Sequence, residues 1–179
     1  PGPILGIDVV GSYAYVADSD DGLRIVDISN PATAHEVGFL DTPGKAYDVK
    51  VVGSFAYVAD GYGGGLRIIN VSNPAAPVAA GFFDTANEAR RLAVAGSYAY
   101  IADYYDGLRI INVSNPAAPF EAGFFDTDWA WDVVVDGTHA YVADVTGGLR
   151  VIDVSNPAAP TQVGSLYTGH VICVGLGGG

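Results

Sequence analysis

Lys45, Tyr47, Glu88, Arg90, Arg91, Trp129, Trp131 and Asp132 are the residues of this chain whose types and spacing suit recognition chemistry. They fall in stretches that differ in size and charge along an otherwise self-similar sequence: Pro43-Gly44-Lys45-Ala46-Tyr47-Asp48, Ala86-Asn87-Glu88-Ala89-Arg90-Arg91, Asp128-Trp129-Ala130-Trp131-Asp132 and Gly169-His170-Val171-Ile172-Cys173. Aromatic rings beside charged groups suit a ligand with apolar faces and polar edges, such as a sugar or a peptide side chain. The competing reading makes Trp129 and Trp131 packing residues and leaves Arg90 and Arg91 solvated, or paired with Glu88 and Asp48, since large aromatic side chains are more often buried than used for binding.

Catalysis has fewer footholds. Asp48, Glu88 and Asp132 would serve a hydrolase or lyase if their environments set their acidities apart. No G-x-S-x-G, H-E-x-x-H, C-x-x-C, phosphate loop or dinucleotide fingerprint occurs. Cys173 and His170 lie three positions apart, which on a strand places them on opposite faces, so Cys173 is expected to be a small buried hydrophobe rather than a nucleophile. No catalytic residue and no cofactor is expected.

The acidic turn Asp18-Ser19-Asp20-Asp21-Gly22 has the carboxylate density of a cation site, with Asp18, Asp20 and Asp21 as ligands. It lacks the D-x-D-x-D-G spacing and the distal Glu of a calcium loop, which favours a hydrated turn and no metal. A net charge of −12 with only eight Lys and Arg argues against nucleic acid and anionic membranes as partners. No apolar run reaches the ~20 residues of a membrane helix. The chain contains no Met and one Cys, so a processed or excised segment is expected, without an internal disulfide framework.

The elements that must position these residues are repeats. GLRIINVSNPAAP stands at 65–77 and again at 107–119, flanked by GLRIVDISNPATA at 22–34 and GLRVIDVSNPAAP at 148–160. Alignment on this phrase gives units of about 42 residues at approximately 1–42, 43–85, 86–127 and 128–167, followed by a surplus strand at 168–179. In the second unit AYDVKVVG, SFAYVAD, GLRIINVS and PVAAGFFDT read as strands, separated by turns rich in Gly, Asn, Pro and Asp. Four short antiparallel strands per unit predict an all-β propeller of four blades, with no helix longer than a turn. The surplus segment GHVICVGLGGG aligns with the opening PGPILGIDVVG, so both ends offer a first strand; self-association through these terminal strands, or truncation, would account for it.

Positions identical in all four units are expected to serve the blade. Arg24, Arg67, Arg109 and Arg150 recur with Asp18, Asp60, Asp103 and Asp144. An anion ring of four arginines is one reading; charge-assisted pairing of each Arg with an Asp of its own or an adjacent blade explains both sets together. The turns Asn30-Pro31, Asn73-Pro74, Asn115-Pro116 and Asn156-Pro157 follow from local backbone chemistry.

With LRIVDIS, LRIINVS and LRVIDVS as the third strand, YVAD or YIAD before it and SNP after it, the chain resembles the LVIVD-repeat β-propellers. WD40 is a poorer fit, because Trp131-Asp132 lies on a first strand. The resemblance implies a propeller of the kind found in bacterial and archaeal proteins of the cell surface or exterior, with no shared catalytic motif. The expected function is a non-catalytic module that binds a glycan or protein ligand where the first strands converge on the channel mouth. A purely structural surface-layer or stalk domain is the other non-enzymatic reading.

Overall fold

The computed structural model describes residues 2–167 and 169–175. Four four-stranded antiparallel sheets follow one another along the chain, each in the order of its sequence. Blade one is β1 (Gly6–Val10), β2 (Tyr13–Ala17), β3 (Leu23–Asp27) and β4 (His35–Leu40). Blade two is β5 (Asp48–Val52), β6 (Phe55–Ala59), β8 (Leu66–Asn70) and β9 (Val78–Phe83). Blade three is β11 (Arg91–Ala95), β12 (Tyr98–Ala102), β13 (Leu108–Asn112) and β14 (Phe120–Phe125). Blade four is β15 (Ala130–Asp136), β16 (His139–Asp144), β17 (Gly148–Asp153) and β18 (Thr161–Leu166). The only helical element among the described residues is one 3-10 turn at Pro31–Thr33.

Alternation sends one side-chain set of each strand to each face of a blade, and both sets are apolar because a blade is covered on both sides. Tyr15, Leu23 and Ile25 of blade one pack on Val49, Val58 and Ile69 of blade two. The same positions make the next two cores: Tyr57, Leu66 and Ile68 against Leu92, Ile101 and Ile111, then Tyr100, Leu108 and Ile110 against Val133, Val142 and Ile152. Three cores thus join four blades, and the first strands β1, β5, β11 and β15 lie against one another in turn.

Two further devices lock successive blades. Each β3-type strand meets its neighbour through a bulge, after Ile25, Ile68, Ile110 and Val151, and the glycine just past it seats the Asn-Pro turn of the next blade. A Cβ on Gly38, Gly81 or Gly123 would lie 2.2, 2.1 or 2.2 Å from the carbonyl oxygen of Pro74, Pro116 or Pro157. The Asn-Pro turn, which local backbone chemistry explains, therefore also acts as a plug between blades.

The second device pairs a turn with a crossover. β7 (Gly61–Tyr62) leaves blade two and pairs with β10 (Glu88–Ala89), the segment that leads into blade three. Single bridges Ser19↔Ala46 and Tyr104↔Ala130 repeat this between the other blades. The turn after each second strand is thereby held on the crossover that opens the following blade.

The surplus strand expected at 168–179 is corrected in part. Residues 169–175 form no strand, having no sheet partner, although Val174 N donates to Asp132 Oδ2 at 2.9 Å. Thr168 and residues 176–179 of that expectation lie outside the described residues.

Candidate functional site

Because the turn after each of the first three second strands pairs with a crossover, turn residues and crossover residues share one surface. Tyr47 enters it from the crossover before β5, Glu88 from β10, Arg90 from the link to β11, and Trp129 and Trp131 from the start of β15. Tyr104 and Tyr105, from the turn between β12 and β13, complete it. Neither tyrosine is among the candidates read from the sequence; the signal is that the turn written Ser19-Asp20-Asp21 in the first unit reads Tyr104-Tyr105-Asp106 in the third.

Arg90 is the hub. Its Nη2 donates to Glu88 Oε2 at 2.8 Å, and Glu88 Oε1 accepts from the Tyr47 hydroxyl at 2.6 Å. Its guanidinium carbon sits 4.1 Å from the centre of the Trp131 ring, 4.4 Å from Tyr104 and 5.4 Å from Tyr47, within the range of cation–π attraction. Burial, then the bond to Glu88, raises the Tyr47 phenol above its ordinary pKa, so it remains a donor at neutral pH. Trp129 stacks on Tyr104 with ring centres 5.7 Å apart and meets Tyr105 edge-on at 5.5 Å.

Tyr104 holds this place at a φ of 48°, a left-handed conformation unusual for a non-glycine residue. The equivalent Gly61 and Ser19 have φ of 58° and 44°, so units one to three share this backbone geometry, whereas the equivalent Val145 of unit four does not. In blade two the residue must be small, since a Cβ on Gly61 would lie 2.9 Å from the Tyr47 ring. The third unit places a large ring where the second has none.

A cavity of about 460 Å³ adjoins the cluster, lined by Asp20, Pro43, Gly44, Lys45, Tyr47, Tyr62 and Glu88. Tyr62 is largely exposed and Lys45 Nζ reaches Asp20 Oδ1 at 3.7 Å across the rim. The concavity thus combines two phenol faces with an ammonium and carboxylates.

The remaining predicted residues are placed elsewhere. Arg91 turns away from the aromatic cluster, donating from Nη1 to the carbonyl oxygens of Leu5 at 3.0 Å and Tyr47 at 2.6 Å, which ties the entries to β1, β5 and β11 together. Asp132 is buried and accepts from the backbone N–H of Val133 and Val174. Asp48 is buried, accepts from Leu92 N at 3.2 Å and has its carboxyl pKa raised by desolvation. Cys173 is exposed, which corrects its reading as a buried hydrophobe: residues 169–175 join no sheet whose packing would bury it. The charge of Asp132 raises its thiol pKa, an effect that opposes nucleophilic use.

Asp18, Asp20 and Asp21 do not converge. Asp20 faces Lys45 and Asp21 lies 3.7 Å from Arg24 Nη2. Among the described residues no group of three or more His, Cys, Asp or Glu side chains could hold a metal ion.

The recurrent arginines occupy one position with two partner sets. Arg67 Nε lies 3.5 Å from Asp60 Oδ2 and Arg150 Nε donates to Asp144 Oδ2 at 3.2 Å. Arg24 instead meets Asp21 and Asp41, at 3.7 and 3.4 Å, and Arg109 meets Asp106 and Glu121, at 3.9 and 3.7 Å. The residue before the closing glycine of the turn decides which: Gly64 and Gly147 leave the buried Asp open to the guanidinium, whereas Asp21 and Asp106 capture it. Arg24, Arg67 and Arg109 also lie over Phe39, Phe82 and Phe124, at 4.7, 4.8 and 4.8 Å. Asp60 in turn accepts from the Thr42 hydroxyl and from Gly44 N at 2.9 Å, and Asp103 from the Thr85 hydroxyl at 2.7 Å and Asn87 N at 3.2 Å. These carboxylates staple each crossover to the blade it enters.

Comparison with known proteins agrees with this architecture. A protein from Lactobacillus plantarum is 16% identical, with a TM-score of 0.75 over 92% of this chain and 56% of its own. A functionally unknown protein from Desulfotomaculum acetoxidans is 13% identical, with a TM-score of 0.69 over 90% of this chain and 55% of its own. The computationally designed Ika8 protein is 10% identical, with a TM-score of 0.67 over 96% of this chain and 51% of its own. The chain therefore spans about half the length of these structures, and at such identities the likeness is one of fold. No curated protein matches the chain. The model of the LVIVD repeat matches residues 1–42, 43–85, 86–127 and 129–168. With four repeats that build the four blades described above, the chain belongs to the LVIVD-repeat family.

Proposed function

We propose that the chain is a non-catalytic binding module, of an extracellular or cell-surface protein, that recognises a glycan on the surface formed by Tyr47, Glu88, Arg90, Trp129, Trp131 and Tyr104. The observation that carries this reading is the convergence of divergent residues, from blades that are otherwise nearly copies, beside a concavity of about 460 Å³. Half-buried rings offer stacking faces, and the Arg90–Glu88 pair and Lys45 offer hydrogen bonds to hydroxyls at the edges. The carboxylates a hydrolase or lyase would use are each engaged: Asp48 and Asp132 by backbone N–H groups, Glu88 by Tyr47 and Arg90.

A glycan-array screen followed by titration of tryptophan fluorescence tests the proposal. A hit is expected to perturb the emission, and Trp129→Ala to weaken it by roughly several-fold with the fold intact, as stacking is worth about 1 kcal/mol. Equal binding to Trp129→Ala and Trp131→Ala would place recognition elsewhere.

A further inference from the structure

Three junctions between blades lie inside the array, and each can serve as a control for the others. Arg67, Arg109 and Arg150 stand two residues before Ile69, Ile111 and Ile152, on the strand face that packs on the preceding blade. Opposite those isoleucines, on the outermost strands, the register places Ala79, Glu121 and Gln162. Between blades two and three Arg109 Nη1 lies 3.7 Å from Glu121 Oε2, and between blades three and four Arg150 Nη1 donates to Gln162 Oε1 at 3.1 Å. Between blades one and two the corresponding residue is Ala79, whose methyl group cannot accept. Arg67 bonds through its other nitrogens: Nη2 donates to the Gly63 carbonyl at 3.4 Å and to Asp84 Oδ1 at 3.2 Å, and Nε lies 3.5 Å from Asp60 Oδ2.

The truncated side chain coincides with a cavity of about 430 Å³. Leu40, Ile69, Ala79, Phe82 and Pro119 give it apolar walls, and Arg67 lies among them. The Phe82 ring, 4.8 Å from the guanidinium carbon, fixes the cation at that wall. The volume suits one small ligand. Only Pro43 is shared with the concavity beside the aromatic cluster.

The chemistry of the occupant follows from the partners that Arg67 already has. Arg67 and Arg150 both face the buried Asp of their own blade through Nε, at 3.5 and 3.2 Å, and Arg150 adds a neutral amide oxygen. The charge of Arg67 is answered by Asp60 and Asp84, and Asp41 brings a further carboxylate to the cavity. An anionic ligand would meet that repulsion, and a cationic one would face the guanidinium itself. An uncharged carbonyl oxygen takes the hydrogen bond and meets neither.

We propose that the cavity between blades one and two binds a small uncharged amide with an aliphatic body, its carbonyl oxygen accepting from Arg67 Nη1 as Gln162 does from Arg150. The aliphatic part lies against Leu40, Ile69 and Phe82. This site stands apart from the glycan surface and does not depend on it.

Hexanamide is the probe, with hexanoate and hexylamine as charged counterparts of similar shape, each titrated into the 179-residue chain while its NMR signals are followed. Hexanamide is expected to bind saturably with a Kd on the order of 1 mM, shifting the signals of Arg67, Ala79 and Phe82, and the charged compounds to bind about tenfold more weakly or less. Ala79→Gln copies blade four at an exposed position, so the chain supplies its own acceptor; hexanamide binding should fall at least about tenfold with unchanged circular dichroism. Val78→Gln, at the adjacent exposed position outside the cavity lining, should bind as the parent does. The proposal is overturned if no saturable shift appears up to about 50 mM hexanamide, or if the shifts centre on Trp129 instead. Hexanoate or hexylamine binding as well as hexanamide, binding that survives Ala79→Gln, or its loss in Val78→Gln would overturn it equally.

Discussion

Arg90 lies over the indole of Trp131, its guanidinium carbon 4.1 Å from the ring centre, so a cation from the third unit is held by an aromatic face from the fourth. Its other contacts, Glu88 and the Tyr104 and Tyr47 rings, keep it there without a ligand. Arg90→Ala is expected to cost about 1–2 kcal/mol, read as a lower urea midpoint, and to shift tryptophan emission as the ring gains water. An unchanged spectrum and midpoint would mean that the cluster holds together without its cation.

Arg67→Ala is expected to destabilise the fold by roughly 1–3 kcal/mol, because it strips the ion pair from Asp60, which is fully buried. Arg109→Ala should cost less, since its partners Asp106 and Glu121 are partly hydrated. Chemical denaturation of the two variants side by side checks the order, and equal midpoints would contradict the two-partner account.

Asp103 gives the fold a pH dependence. Burial raises its carboxyl pKa to about 6 against the bonds from Thr85 and Asn87. The folded state thus holds a proton that the unfolded state, with its ordinary value of 3.8, gives up between about pH 4 and 6. Asp103 therefore makes its largest contribution below pH 4 and loses it as pH rises through 6, on the order of 3 kcal/mol in all. Denaturation midpoints at pH 4.5 and 7 for the parent and Asp103→Asn test this: the variant should lose that part of the slope, and identical slopes would refute the assignment.

Gly81→Ala is expected to lower stability by about 1–3 kcal/mol, since the added Cβ would lie 2.1 Å from the Pro116 carbonyl oxygen of the next blade. Thermal unfolding measures it. A melting temperature equal to that of the parent would show that the plug can withdraw at no cost.

The blade was legible in the sequence because alternation and turn chemistry are local. AYDVKVVG was read as a strand and contains β5 (Asp48–Val52), and GLRIINVS contains β8 (Leu66–Asn70). What was not legible depends on neighbours in space. Gly38, Gly81 and Gly123 look like ordinary strand glycines until Pro74, Pro116 and Pro157 are seen against them. Tyr104 and Trp131 belong to different units, and only the pairing of turn with crossover brings their rings to 5.9 Å. The arginines were read as one class from their identity; the neighbouring Gly64 or Asp106 sorts them into two, and that choice depends on which acceptor is reachable in three dimensions.

The glycine seat and the Asn-Pro plug lie within the same repeat, one facing its successor and the other its predecessor. A duplication that copies about 42 residues, starting anywhere in the unit, therefore carries both halves of a joint and inserts a blade whose two sides already fit. Genes of this kind can lengthen or shorten by slippage between near-identical stretches such as 65–77 and 107–119 without inventing a contact. Under such growth the shared joints preserve the fold, and the crossovers are the stretches left free to diverge.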